Sequence, residues 1–377
     1  RAGAGVPSRG HRIAPRGLRG WDVSGPPAGT RPRAAVLITA MSDSVSLLKT
    51  LVGFDTTSHR SNRDLVDWLV GVIEPLGGRI RLSHDDTRTK ANLLASFGPP
   101  VPGGIVLSGH TDIVPVDGQT WTSDPFMLTE REGRLHGRGT SDMKGFVACC
   151  LAALPAIAVC ELRKPIHLAL SYDEEVGCLG VTRLIEDLLA HEPKPALAVI
   201  GEPTGMRLGD RHRGFLGFRT SFTGKPAHSS DPGAGASAVY PAAMFVSFLE
   251  ALSRGGASGI DATTFNVGRI DGGSAINIVP GLCEVVWEFR PAPGADVPAL
   301  RTTVETFLAC ATPPGIAQMT QLLTRVPPLA PEPDPAAQEL AIGFGARRPA
   351  FAMPFGTEAG FFQEAGIPAV VCGPGSI

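Results

Sequence analysis

Apolar positions change period several times along this chain. Residues 65–77 (LVDWLVGVIEPLG) have helical spacing and stop at Gly77-Gly78. Residues 103–110 (GGIVLSGH) carry a continuous apolar run that ends in a turn, the pattern of a strand buried on both faces. A helix over 144–159 (KGFVACCLAALPAIAV), a strand over 165–175, a helix over 181–192 and a strand over 195–204 follow. Such alternation predicts an α/β domain with a mainly parallel sheet. Three of its strands end on polar, reactive residues, in GHTD, YDEE and GEPT. Ligands of open α/β sheets bind beyond those strand ends.

Beyond about Leu208 the pattern changes. An alternating strand over 213–224 precedes a helix over 237–252, two strands over 263–273 and 283–291, a helix over 295–311 and a strand over 317–326. The order β-α-β-β-α-β is that of a ferredoxin-like α+β unit. We therefore expect an insertion over 211–326, with 41–210 and 327–377 forming the first domain. The Pro-rich stretch Pro327 to Pro335 is the return link.

Composition narrows the function class. The chain has 377 residues, long enough for two domains, and a net charge of −2, which gives no reason to expect nucleic acid or a membrane surface as partner. No run approaches the roughly 18 uninterrupted apolar residues of a membrane span. The seven cysteines form no C-x-x-C pair, which fits a reducing, cytoplasmic setting and argues against cysteine-ligated zinc. Cys149 and Cys150 lie in an apolar run and read as buried thiols.

Both ends are unusual. Residues 1–40 hold seven arginines, one acid (Asp22) and no periodic apolar pattern, and they read as a non-native or disordered extension ahead of Met41. The other end stops at GPGSI, directly after a strand-like PAVVCG, and reads as cut.

The candidate chemistry lies at the three strand ends. In His110-Thr111-Asp112 the two polar side chains point the same way on extended chain. An imidazole can then bind a metal while its other N–H donates to a carboxylate. Asp142 precedes a helix, Glu174 and Glu175 follow a strand, and Glu202 sits in GEPT. Each of these acids has an ordinary reading by itself: a helix-start acid, a solvated strand end, a loop acid. Together, one histidine with several carboxylates at the ends of one sheet suits zinc, cobalt or manganese. The charge of Asp142, Glu175 and Glu202 suits two divalent ions, which leaves Glu174 free as general base.

Successive blocks resemble the acetylornithine deacetylase family. They are SGHTDIVPVDGQTWTSDPF, LHGRGTSDMKG, YDEEVGCLG, IGEPT, GKPAHSSDPGAGASAV, GRIDGGSAINIVP, WEFRP and FGTEAGFFQEAGIPAVVCGPGSI. They occur in that family's order over roughly residues 42–377. The wider group includes succinyl-diaminopimelate desuccinylase, aminoacylase and glutamate carboxypeptidase. The resemblance implies two zinc ions, with cobalt as a substitute. His110 and Glu202 would hold one and Glu175 the other, with Asp142 bridging. It implies Asp112 orienting His110, Glu174 as base, and His228 reaching the partner's site in a homodimer joined through the inserted lid domain. Asn277 and Arg290 would hold the substrate carboxylate, and Arg213 and the GTE segment Gly356 to Glu358, with Thr357 at its centre, are further substrate-side candidates. In that family another zinc-binding histidine follows GPGSI a few residues later, so the second site reads as one ligand short within 1–377. The implied activity is hydrolysis of an N-acyl amino acid, N2-acetyl-L-ornithine first. The alternatives are another N-acyl or N-succinyl substrate, or a non-catalytic homologue that only dimerises or binds metal.

Overall fold

A computed structural model describes residues 43–254 and 259–376. The expectation for residues 1–40 lies outside them. Asp43 caps the first helix, Ser44–Val52, by accepting the N–H groups of Val45 and Ser46 at 3.0 Å and 3.2 Å. The helix Arg63–Ile73 runs into a short 3-10 turn that ends at Gly77, whose φ of 81° is the left-handed stop the Gly pair predicts.

Strands β1 (Arg79–His84), β2 (Ala91–Phe97) and β3 (Ile105–His110) come next. A hairpin of β4 (Thr129–Arg131) and β5 (Arg134–His136) leads through Thr140–Lys144 into the helix Gly145–Val159. Then follow β6 (Ile166–Ser171), the helix Val181–His191, β7 (Leu197–Pro203) and β8 (Arg207–Arg211). A second unit holds β9 (Phe215–Thr223), β10 (Ala227–His228), the helix Val239–Arg254, β11 (Thr264–Gly272), β12 (Ile278–Val279) and β13 (Leu282–Arg290). It ends with the helix Val297–Ala311 and β14 (Ala317–Val326). The chain then rejoins the first sheet through β15 (Arg347–Ala352) and β16 (Ala369–Gly373).

The first sheet has the order β1-β2-β6-β3-β7-β16-β8-β15. Its centre, β6-β3-β7-β16, is parallel, and antiparallel strands flank it on both sides. From β3 the chain goes to β6 on one side and then to β7 on the other. The end of β3 is therefore a topological switch point, where such sheets open a crevice. Helices cover both faces. Gly145–Val159 packs with the two N-terminal helices, whereas Val181–His191 packs with the helix Ala359–Glu364 on a separate apolar cluster.

Thr140–Val159 is long and apolar enough, by length and composition, to cross a membrane. Here Asp142 and Met143 break its helical backbone, and Phe146, Val147, Leu151 and Leu154 are buried against the sheet. It is a core helix. Of the adjacent thiols on it, Cys150 is buried but Cys149 is exposed, contrary to the sequence expectation. Successive helical residues point about 100° apart, and Cys149 falls on the side of this helix that faces away from the core.

The second unit is a four-stranded antiparallel sheet, β11-β13-β9-β14, with its two helices sharing one aromatic core of Phe222, Phe245, Trp287 and Phe289. The two connections between the units run side by side, paired by backbone bonds of 3.1 Å in each direction between His212 and Leu329.

Candidate metal centre

The register of the parallel strands builds the site. His110 is level with Ser171 on β6, and Ser108 is level with Ile200 on β7. Two residues further on, Glu202 therefore stands beside His110, with Nε2 and Oε1 3.7 Å apart. Close approach of β7 to the helix below requires Gly201, where an added Cβ would lie 2.1 Å from the Phe146 ring. Asp142 reaches in from the irregular segment before that helix, its Oδ1 3.0 Å from His110 Nε2.

On the other side of the ring, Nδ1 is 3.0 Å from the Asp112 carbonyl oxygen and 3.5 Å from its carboxylate. Both oxygens are acceptors, so Nδ1 carries the proton and Nε2 is left for a cation. The Asp112 carboxylate has further partners. It accepts the Ser58 hydroxyl at 2.7 Å and the backbone N–H groups of Glu174 and Glu175 at 3.0 Å and 3.2 Å. Burial works against its charge, but these bonds and His110 hold its pKa below the ordinary carboxylate value.

Two sets of donor atoms converge, His110 with Glu174 and Glu202, and His110 with Asp142 and Glu175. Within each set all ligand atoms lie within 4.8 Å of one another. One imidazole nitrogen with carboxylate oxygens is a borderline-to-hard donor set, and it fits zinc, cobalt or manganese. Without a cation the acids are crowded. Burial, followed by neighbouring carboxylates against the opposing pull of His110, pushes Glu174 up to about 8 and Glu175 up to about 7. Glu202 is driven well above the ordinary range by its own burial. For His110 burial opposes the charged form, but the bonds to Asp112 and Asp142 outweigh it and raise the pKa well above normal.

Several further residues lie outside the metal set expected from the sequence. Glu358 is fully buried, and its carboxylate takes the hydroxyls of Ser171 and, at 3.3 Å, Ser108. Burial pushes it up to about 7. Its cue was a lone acid in the apolar run GTEAGFF. His212 is also buried. Its Nδ1 donates to the Arg213 carbonyl at 2.9 Å, so Nε2 must accept, and it faces the Thr357 hydroxyl at 3.1 Å and the Thr357 N–H at 3.3 Å. Lys144 is buried with its Nζ donating to the Phe54 carbonyl at 2.7 Å, and burial lowers its pKa to about 7.

The expected substrate-side residues are not all together. Thr357 is fully buried, and its hydroxyl contacts His212 and accepts the Ala359 N–H at 3.1 Å. Packing of the Ala359–Glu364 helix against the sheet draws this segment inside. Arg290, partly buried, pairs with Glu288 at 3.2 Å and lies over the Phe215 ring at 4.9 Å. Arg213 is partly buried at the junction of the two units. His228 ends β10 and Asn277 immediately precedes its antiparallel partner β12; both are exposed, and the Ser229 N–H donates to the Asn277 carbonyl at 2.9 Å.

Comparison with known proteins agrees with this architecture. The chain is 34% identical over 334 residues to acetylornithine deacetylase of Edwardsiella ictaluri (strain 93-146), covering 86% of this chain and 85% of that protein. It is 35% identical over 336 residues to acetylornithine deacetylase of Proteus mirabilis (strain HI4320), covering 86% and 84%. Among solved structures, an M20 family metallo-carboxypeptidase of Sulfolobus solfataricus superposes with a TM-score of 0.66 at 17% identity, over 88% of this chain and 91% of that one. A dinuclear metal-binding peptidase of Bacillus subtilis superposes with a TM-score of 0.63 at 15% identity, over 91% and 90%. The profile of peptidase family M20/M25/M40 matches residues 106–377, and with these relatives it establishes that the chain belongs to that family.

Proposed function

We propose that this chain hydrolyses the amide bond of N2-acetyl-L-ornithine to ornithine and acetate. The observation that carries the substrate is the similarity, over 86% of the chain, to proteins named acetylornithine deacetylase. The donor sets around His110 support the reaction class. His110 and Glu202 would hold one divalent cation, Glu175 the other, and Asp142 both. When bound, such cations polarise a carbonyl and acidify water.

The chain's own residues do the rest. Glu174 accepts a proton from the attacking water and returns it to the amide nitrogen, so that ornithine leaves as an amine. Its carboxylate lies beside the His110 and Glu202 donor atoms, within reach of a water held there, which suits both transfers. Asp112 holds the His110 tautomer and, through two backbone amides, the position of Glu174 and Glu175. Arg290 and Asn277, with Arg213 beside the junction, bind the substrate carboxylate, for which a guanidinium's paired donors are suited.

Residues 41–210 and 327–377 act as the catalytic unit and 211–326 as a lid that joins two copies. The apolar face of the Val239–Arg254 helix supports the dimer, with Tyr240 and Met244 exposed beside a Phe248–Phe307 stack at 3.9 Å. His228, exposed at the end of β10, then reaches the partner's site and stabilises charge developing on the carbonyl oxygen.

The test is release of ornithine by the purified full chain loaded with zinc or cobalt, with N-succinyl-diaminopimelate and other N-acetyl amino acids as competing substrates. Faster turnover of one of those competitors would overturn the substrate assignment. Failure to hydrolyse any N-acyl amino acid with both cations bound would overturn the reaction.

A further inference from the structure

The carboxylate of Glu358, beside the cluster, is bonded to two hydroxyls, both uncharged. One oxygen takes the Ser171 hydroxyl and the other the Ser108 hydroxyl at 3.3 Å. The side chain is 1% exposed. Among the described residues no Lys, Arg or His nitrogen lies within ion-pair distance of it. By contrast, Asp173 is paired with Lys90, and Asp112 has His110 and two amides. A carboxylate in the interior without a countercharge is costly.

Its position says where the countercharge comes from. Ser108 is two residues before His110 on β3, and Ser171 is the β6 residue level with His110. Glu358 thus lies directly behind the strand ends that carry His110, Glu174 and Glu202. The two serines hold it there and are themselves fixed in the sheet. We infer that Glu358 is a positioning charge for the metal pair: a buried anion, touching no cation itself, whose negative charge is balanced by the cations in front of it.

The two charges are then linked. Cations in the site remove the cost of burying Glu358, and Glu358 in return tightens the cations. A residue that merely packs or ties strands together would not give the signature this predicts. Glu358→Gln keeps the shape and can still bond to both serines, but it removes the charge. It should weaken binding while leaving the metal-free protein as stable as before, or more stable.

This rests on the metal assignment above, and the experiment separates the two. Chelator-treated full-length protein is titrated with Zn2+ or Co2+ alone, and metal-free thermal midpoints are measured in parallel. Glu202→Gln serves as the ligand control. The expected result is a loss of affinity of about tenfold or more in Glu358→Gln, as for other residues supporting metal ligands. Its metal-free midpoint should be equal to or above that of the parent. Unchanged affinity in Glu358→Gln, with Glu202→Gln impaired, would overturn the charge role and leave the metal site intact. A lower metal-free midpoint, or failure to fold, would show a structural role and overturn it equally. A parent protein that binds neither ion would instead overturn the metal assignment.

Discussion

The carboxylate of Asp112 accepts the backbone N–H of Glu174 at 3.0 Å, across 62 positions of sequence. The residue that accepts from His110, the proposed metal ligand, therefore also fixes the loop that carries Glu174, the proposed base. Replacing Asp112 with Asn puts an amide N–H₂ where two acceptor oxygens are needed, leaving buried donors unpaired. The expected cost is about 1–3 kcal/mol in metal-free denaturant melts, together with weaker cation binding measured by titration. An unchanged melt would show that this loop finds its position without Asp112.

Glu174→Gln and Glu175→Gln should differ despite being neighbours. The first should retain both cations and lose about 10²–10⁴-fold in turnover, since an amide cannot accept the proton. The second should lose a cation. Metal content by elemental analysis, alongside the rate of ornithine release, separates them; identical behaviour would refute the division of labour.

Metal removal should abolish activity, and added zinc or cobalt should restore it. Apparent affinity should also fall steeply as pH decreases, because the proton that Asp112 and Asp142 hold on His110 competes with the cation. A chelated protein that remains fully active would remove the mechanism.

His212 should make stability depend on pH. Burial lowers its pKa to about 4, against about 6.5 for a free histidine. The unfolded chain therefore binds the proton first. The stabilisation is complete above about 6.5, declines as pH falls towards 4 and is lost below it, with about 2 kcal/mol gone by pH 5. Urea melts of the metal-free protein at pH 7 and pH 5 should show that component in the parent and not in His212→Gln. An equal pH dependence in both would show that His212 does not carry it.

Mixing Glu174→Gln with His228→Ala should recover activity if His228 serves the partner's site, since the mixed dimer holds one site with both residues intact. No recovery after verified subunit exchange would refute a site shared between subunits.

Local periodicity settled much of this protein. The buried runs of β3, β6 and β7 and the helices between them are continuous in sequence, so the α/β class and the chemistry at the strand ends were legible there. So was the alternation that marks β9 to β14. The metal candidates followed because His110, Glu174, Glu175 and Glu202 sit at or just after the ends of three such strands. Tertiary structure decided what depends on register and packing between distant segments. Strands β1, β2, β8 and β15 flank the sheet without a pattern strong enough to announce them. Glu358, Ser108 and Ser171 meet only because 250 and 187 residues of chain fold back between them. Thr357 is turned inward by helix packing onto His212, a contact across 145 positions of sequence. A short-range pattern reports which face of an element is apolar; it does not report which residue stands opposite, and that contact sets the charge and proton placement of this site.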